Sequence, residues 1–203
     1  TSIVALYVLA LKLATVRGRL SPANLRQHLE ALGRLPDAVA VLVSDLSVYE
    51  RAAGRFAGAA GLLCLGRGLA LPLAMEGALK MKEISYLHAE GYPAGEMKHG
   101  PIALIDESFP TIAVATQHAL RTKMTSNIEQ IRARGGYVLA IATEGDSEIV
   151  SIADDVLYVP DVPAEFEPVV AAVPLQCIAY FVARARGCDI DQPRNLAKTV
   201  TVE

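Results

Sequence analysis

The 203-residue chain reads as an α/β protein: a three-layer α/β/α sandwich around a central parallel sheet, with helices ahead of it and an extended tail behind. Short apolar runs lead to that reading. GLLCLG (Gly61–Gly66), YVLAIAT (137–143) and DVLYVP (155–160) have the unbroken hydrophobicity of strands buried on both faces. Longer helical stretches alternate with them, the order expected of a parallel sheet covered on both sides. The length fits one domain with a core large enough to need no disulfide.

In chain order, residues 1–18 form a helix that is apolar on nearly all sides, so it requires cover on more than one face. The sequence opens on Thr1 rather than Met, and an upstream part of the chain is expected to supply that cover. Ser21 followed by Pro22 is an N-cap with proline at the first helical position, opening a helix to about residue 35. Pro36-Asp37 starts another, to about residue 60. After the strand at 61–66 and the turn Gly66-Arg67-Gly68, a helix covers about 71–87, followed by a loop. Short strands are expected near 102–105 and at 111–115. A helix from about 119 to 134 ends at Gly135-Gly136. Strands at 137–143 and 155–160 and a helix at about 165–186 complete the body. In the tail, Val200 and Val202 alternate with Thr199 and Thr201, the pattern of an extended segment docked on the body.

Ligands in such folds sit beyond the carboxyl ends of the strands, where the turn at Gly66-Arg67-Gly68 and the loop at 143–147 lie. The turn is a weak phosphate cradle, because no Ser or Thr hydroxyl follows it; close helix–strand packing explains its glycines as well. A net charge of −3 with scattered Lys and Arg argues against a nucleic-acid surface. The apolar start is too short to span a bilayer and has no basic segment before it, so neither membrane nor secretion is expected. The 3 cysteines have no metal-ligand spacing and read as small buried hydrophobes in a reducing, cytoplasmic setting.

Residues 76–100, EGALKMKEISYLHAEGYPAGEMKHG, hold the chemistry: 3 Lys, 4 Glu and 2 of the chain's 4 His. At about 100° per residue, Glu76, Lys80 and Glu83 fall within roughly 60° of one another on a helix. An exposed charge ladder would have the same spacing. The dense group that follows, His88, Glu90, Glu96, Lys98 and His99, weakens that plain reading, since a carboxylate and an imidazole are the usual means of moving protons near neutral pH. A metal set from His88, Glu90 and His99 lacks helical His-to-His spacing, and neither metal nor other cofactor is expected.

Residues 76–106 (EGALKMKEISYLHAEGYPAGEMKHGPIALID), 126–136 (SNIEQIRARGG), 173–180 (VPLQCIAY) and 191–203 (DQPRNLAKTVTVE) closely resemble the glutamine–fructose-6-phosphate aminotransferase, or glucosamine-6-phosphate synthase, family. The resemblance runs through essentially the whole chain. It implies that residues 61–188 are the second of two sugar isomerase (SIS) domains, with 1–60 a helical lead-in from an upstream half and 189–203 an active-site tail. It further implies a sugar-phosphate substrate, with Glu83 as the base that moves a proton between C1 and C2. His99 would assist ring opening in the site of a neighbouring subunit, and Lys198 would attack the C2 carbonyl as a Schiff-base amine. Lys80 would sit beside Glu83, and the Ala197 backbone would line the sugar pocket. A homodimer, and a glutaminase and first SIS domain upstream, come with the same resemblance. The family binds phosphate through Ser/Thr-rich loops of that first half, which have no counterpart here; the chain alone is therefore expected to have little synthase activity. Two other readings stay open: a phosphosugar isomerase or deaminase working without glutamine, and a non-catalytic sugar-phosphate-binding or dimerisation module.

Overall fold

A computed structural model describes residues 2–195 and has the layered α/β architecture. Helices α1 (Ser2–Val16), α2 (Pro22–Ser44) and α3 (Ser47–Ala53) lead into strand β1 (Gly61–Gly66), helix α4 (Ala70–Ser85) and strand β2 (His88–Pro93). Strand β3 (Thr111–Ala115), helix α5 (Arg121–Arg132), strands β4 (Val138–Thr143) and β5 (Asp155–Val159) and helix α6 (Glu167–Ala185) follow. The five strands are all parallel, in the order β2-β1-β3-β4-β5. Gly61 stands opposite His88 and Leu63 opposite Thr111, so β1 is central to the pairing that carries β2.

Side-chain alternation divides the core in two. Leu62, Cys64, Ile112 and Val114 face α4 and α6; α2 and α3 pack against α6, and α1 adds only Val4 and Tyr7 to this cluster. Leu63, Leu65, Ala113 and Ala115 face α5 and a 3₁₀ turn, Ala94–His99. The runs of β1, β3 and β4 are fully buried, as their sequences predict. β5 differs: as an edge strand it leaves Asp155 and Tyr158 exposed. By length and composition α6 is apolar enough to cross a membrane, but half of it is buried in this core. At its start, Phe166 stacks edge-on against Tyr7 of α1 at 4.8 Å between ring centroids.

Three expected elements change. Residues 22–44 are one helix, not two meeting at Pro36; the Ser21 hydroxyl caps it, accepting the Asn24 N–H at 3.1 Å. Leu32, Leu35, Val39 and Leu42 continue one apolar stripe across the exposed proline, and Leu35 and Leu42 are buried. That burial on both sides offsets the roughly 3 kcal/mol cost of proline inside a helix. The helical lead-in then ends at Ala53 rather than near residue 60. His88–Pro93, expected as loop, is the edge strand β2, because β1 offers it a full row of backbone partners. The segment near 102–105, expected as strand, is the 3₁₀ turn Pro101–Leu104. Pro101 has no N–H to give a ladder, and Ala103 instead donates its N–H to Gly100 O at 2.9 Å. Of the cysteines, Cys64 is a buried core residue whose thiol burial pushes its pKa up to about 12; Cys177 and Cys188 are only partly buried.

The turn after β1 resolves in favour of packing. A side-chain carbon on Gly66 would lie 2.2 Å from Ala70 O and 2.7 Å from Leu71 N, so the first turn of α4 rests directly on this glycine. Gly66→Ala therefore has to push the helix off the strand, and we expect a loss of about 1–3 kcal/mol in stability. A urea denaturation midpoint indistinguishable from wild type would contradict this packing.

Candidate active site

The β1–α4–β2 unit determines where the titratable residues go. α4 leaves the carboxyl end of β1 and runs back to deliver Ser85 beside the start of β2. Glu76, Lys80 and Glu83 share one half-exposed face of that helix, as the spacing predicts. Lys80 Nζ lies 2.6 Å from Glu83 Oε2 and 3.6 Å from Glu76 Oε1. The hydrogen bond to Glu83 raises the Lys80 pKa, partial burial opposes it, and the Glu76 charge adds to the rise. The pair is thus a held ammonium against an oriented carboxylate.

Glu83 opens on a cleft of about 430 Å³ lined with Lys82, Tyr86, His88, Arg194 and Asn195. Tyr86 shapes it. It closes α4 in the left-handed conformation, with φ 56° and ψ 18°, which costs a side-chain-bearing residue about 1–2 kcal/mol. Its hydroxyl accepts the backbone N–H of Arg194 at 2.8 Å, and its ring lies beneath the Arg194 guanidinium at 4.2 Å. A second tie sits at the root of the tail, where Arg186 Nε donates to Ser85 O at 2.9 Å. The tail is therefore fastened beside Glu83 as far as Asn195. Ala197 and Lys198 lie outside the described residues. The sequence holds one local signal for Tyr86, a tyrosine at a helix end where glycine is usual, and shows Arg194 only as a charge in the tail.

His99 is at the other edge of the sheet. It ends the turn Ala94–His99 that follows β2, with its side chain exposed and Nε2 3.7 Å from Glu96 Oε2. Six residues of strand, about 20 Å, separate that edge from the end of α4. One chain therefore does not bring Glu83 and His99 together. The same separation keeps His88 and His99 apart, and among the described residues no group of three or more His, Cys, Asp or Glu is placed to hold a metal ion. At the carboxyl edge, Arg67 bonds to Asn127, and Arg121 pairs with the buried Asp146 at 3.1 Å.

The SIS domain family matches residues 56–184. The glutamine–fructose-6-phosphate aminotransferase (isomerizing) of Thermus thermophilus is 51% identical over 201 residues, covering 99% of this chain and 33% of that protein. The protein of the same name from Caldanaerobacter subterraneus is 46% identical over 203 residues, again 33% of its length. The chain thus spans about a third of the curated relatives it matches. Among solved structures, the C-terminal domain of glucosamine-fructose-6-phosphate aminotransferase from Francisella tularensis is similar with a TM-score of 0.87 and 36% identity, covering 93% of this chain and 53% of that one.

Tyr86→Phe removes the hydroxyl that accepts the Arg194 N–H. A hydrogen bond of this kind contributes about 1 kcal/mol, so protection of the Arg194 amide against hydrogen exchange should fall about fivefold. Unchanged protection would show that the tail is held without Tyr86.

Proposed function

The chain belongs to the SIS domain family, and on that premise we propose that it supplies the isomerising carboxylate of a glutamine–fructose-6-phosphate aminotransferase. One observation carries the reading: Glu83, held by the Lys80 ammonium, opens on the cleft to which Tyr86 fastens the tail. Lys198 is four residues beyond Arg194, a stretch of chain that spans at most about 14 Å.

The reaction joins fructose 6-phosphate and ammonia to give glucosamine 6-phosphate and water, the ammonia coming from glutamine. The sugar must first open from its ring. An imidazole suits that step, accepting the anomeric hydroxyl proton while the ring oxygen gains one. The amine of Lys198 then adds to the C2 carbonyl with loss of water, and ammonia displaces it as the C2 imine. Glu83 takes a proton from C1, leaving an enamine, and the proton returns at C2 to give the aldose. The Lys80 ammonium holds the carboxylate in place, and the docked tail excludes water from the cleft.

Because Glu83 and His99 stand at opposite edges of one sheet, His99 serves the site of a second copy, and the working unit is a homodimer in the cytoplasm. Upstream domains supply glutaminase and phosphate binding; relatives three times this length support that division.

Glu83→Gln in the full-length protein keeps the shape and removes the base. Formation of glucosamine 6-phosphate should fall by about 10²–10⁴-fold while glutamine hydrolysis continues. Retained synthesis would remove Glu83 from the mechanism. Tight sugar-phosphate binding with no turnover in the wild-type protein would favour a binding module instead.

A further inference from the structure

Arg67 is the residue whose place in the fold the reaction above leaves unused. It follows β1 directly, and its Nη1 donates to Asn127 Oδ1 at 2.9 Å; Asn127 is a buried residue of α5. Its guanidinium also covers Gly95, the second residue of the turn that ends in His99. A side-chain carbon on Gly95 would sit 3.1 Å from Nη2, 3.3 Å from Nη1 and 3.4 Å from Cζ. Gly95 does not have a left-handed backbone, so its conformation does not demand glycine. The planar guanidinium lies close enough that an added carbon would require it to give by a few tenths of an ångström.

The turn itself is a 3₁₀ helix, in which residues three apart lie one above the other. Ala94 and Met97 are fully buried on one side. Glu96 and His99 fall on an exposed side, 73% of the His99 side chain being open to solvent. An exposed imidazole gains its precision from the backbone beneath it, and the Arg67 guanidinium is the group packed against that backbone at Gly95.

We propose that Arg67 is a positioning residue for His99: laid over Gly95 and tied to Asn127, it fixes the turn that presents the imidazole to a neighbouring subunit. This rests on the ring-opening role of His99 given above. Lysine cannot replace it, since a single ammonium cannot both lie flat on Gly95 and reach Asn127.

The test uses the full-length protein with two substrates: fructose 6-phosphate, which closes a ring through its C5 hydroxyl, and 5-deoxyfructose 6-phosphate, which has no hydroxyl there and stays open. We expect Arg67→Ala and Arg67→Lys to lower kcat on fructose 6-phosphate at least about tenfold more than on the open analogue, with KM shifted less than about twofold. Arg67→Ala added to His99→Ala should bring no further selective loss. Gly95→Ala, which leaves Arg67 in place but crowds it, should give the same selective loss and serves where Arg67→Ala melts early. Equal losses on both substrates, or a selective loss additive with that of His99→Ala, would overturn the proposal and leave Arg67 a packing residue. If His99→Ala itself shows no selectivity for the cyclic substrate, the ring-opening role fails first, and the clamp on it fails with it.

Discussion

Two parallel strands cannot be joined by a tight turn; the connection must carry the chain back to the edge from which it started. That constraint on β1–α4–β2 orders most of what surrounds it. The last turn of α4 and the first residue of β2 share one edge, so Glu83, Tyr86 and His88 gather there. Whatever follows β2 emerges at the opposite edge, which is where His99 stands. Gly66 lets α4 lie directly on the strand it has just left, and α6 packs beside α4 on the same face of the sheet. The separation of Glu83 and His99 is therefore set by backbone topology, which no side-chain choice can undo.

Within that frame the exposed ladder of Glu76, Lys80 and Glu83 would by itself contribute only a few tenths of a kcal/mol per pair. Its setting gives it more significance. The helix ends on a tyrosine held at a positive φ, where glycine would carry no strain. What the tyrosine adds is a hydroxyl and a ring for the Arg194 segment, and the contact fastens the tail beside the carboxylate. Local strain retained next to a titratable pair is a feature of functional sites more than of helix ends in general.

Much of this was legible in the chain. Unbroken apolar runs located β1, β4 and β5, and the helical spacing of Glu76, Lys80 and Glu83 gave their contact correctly. Pro36 misled because proline is a strong local signal, whereas the stripe through Leu32, Leu35, Val39 and Leu42 that overrides it is a tertiary one. HAEGYP carries no strand pattern; it pairs because β1 presents an unpaired edge, which the segment's own composition does not record. The opposite error at residues 102–105 came from an apolar run whose leading proline bars it from a ladder. The contacts of Tyr86 and Arg67 do not show in the sequence for a related reason: each partner is far away along the chain, Arg194 in one case and Asn127 in the other.

The lead-in helices find their partners late. Tyr7 stacks on Phe166 and reaches His28 at 2.7 Å, while Arg186 Nη1 donates to the carbonyl of Ala57 at 2.8 Å. Contacts across so much of the sequence have a large loop-closure cost, which must be met before they contribute anything. During synthesis α1 and α2 are made before their partner α6, which follows more than a hundred residues later. Docking of these helices therefore has to wait for α6, and the ring of Tyr7 has no Phe166 to pack on until then.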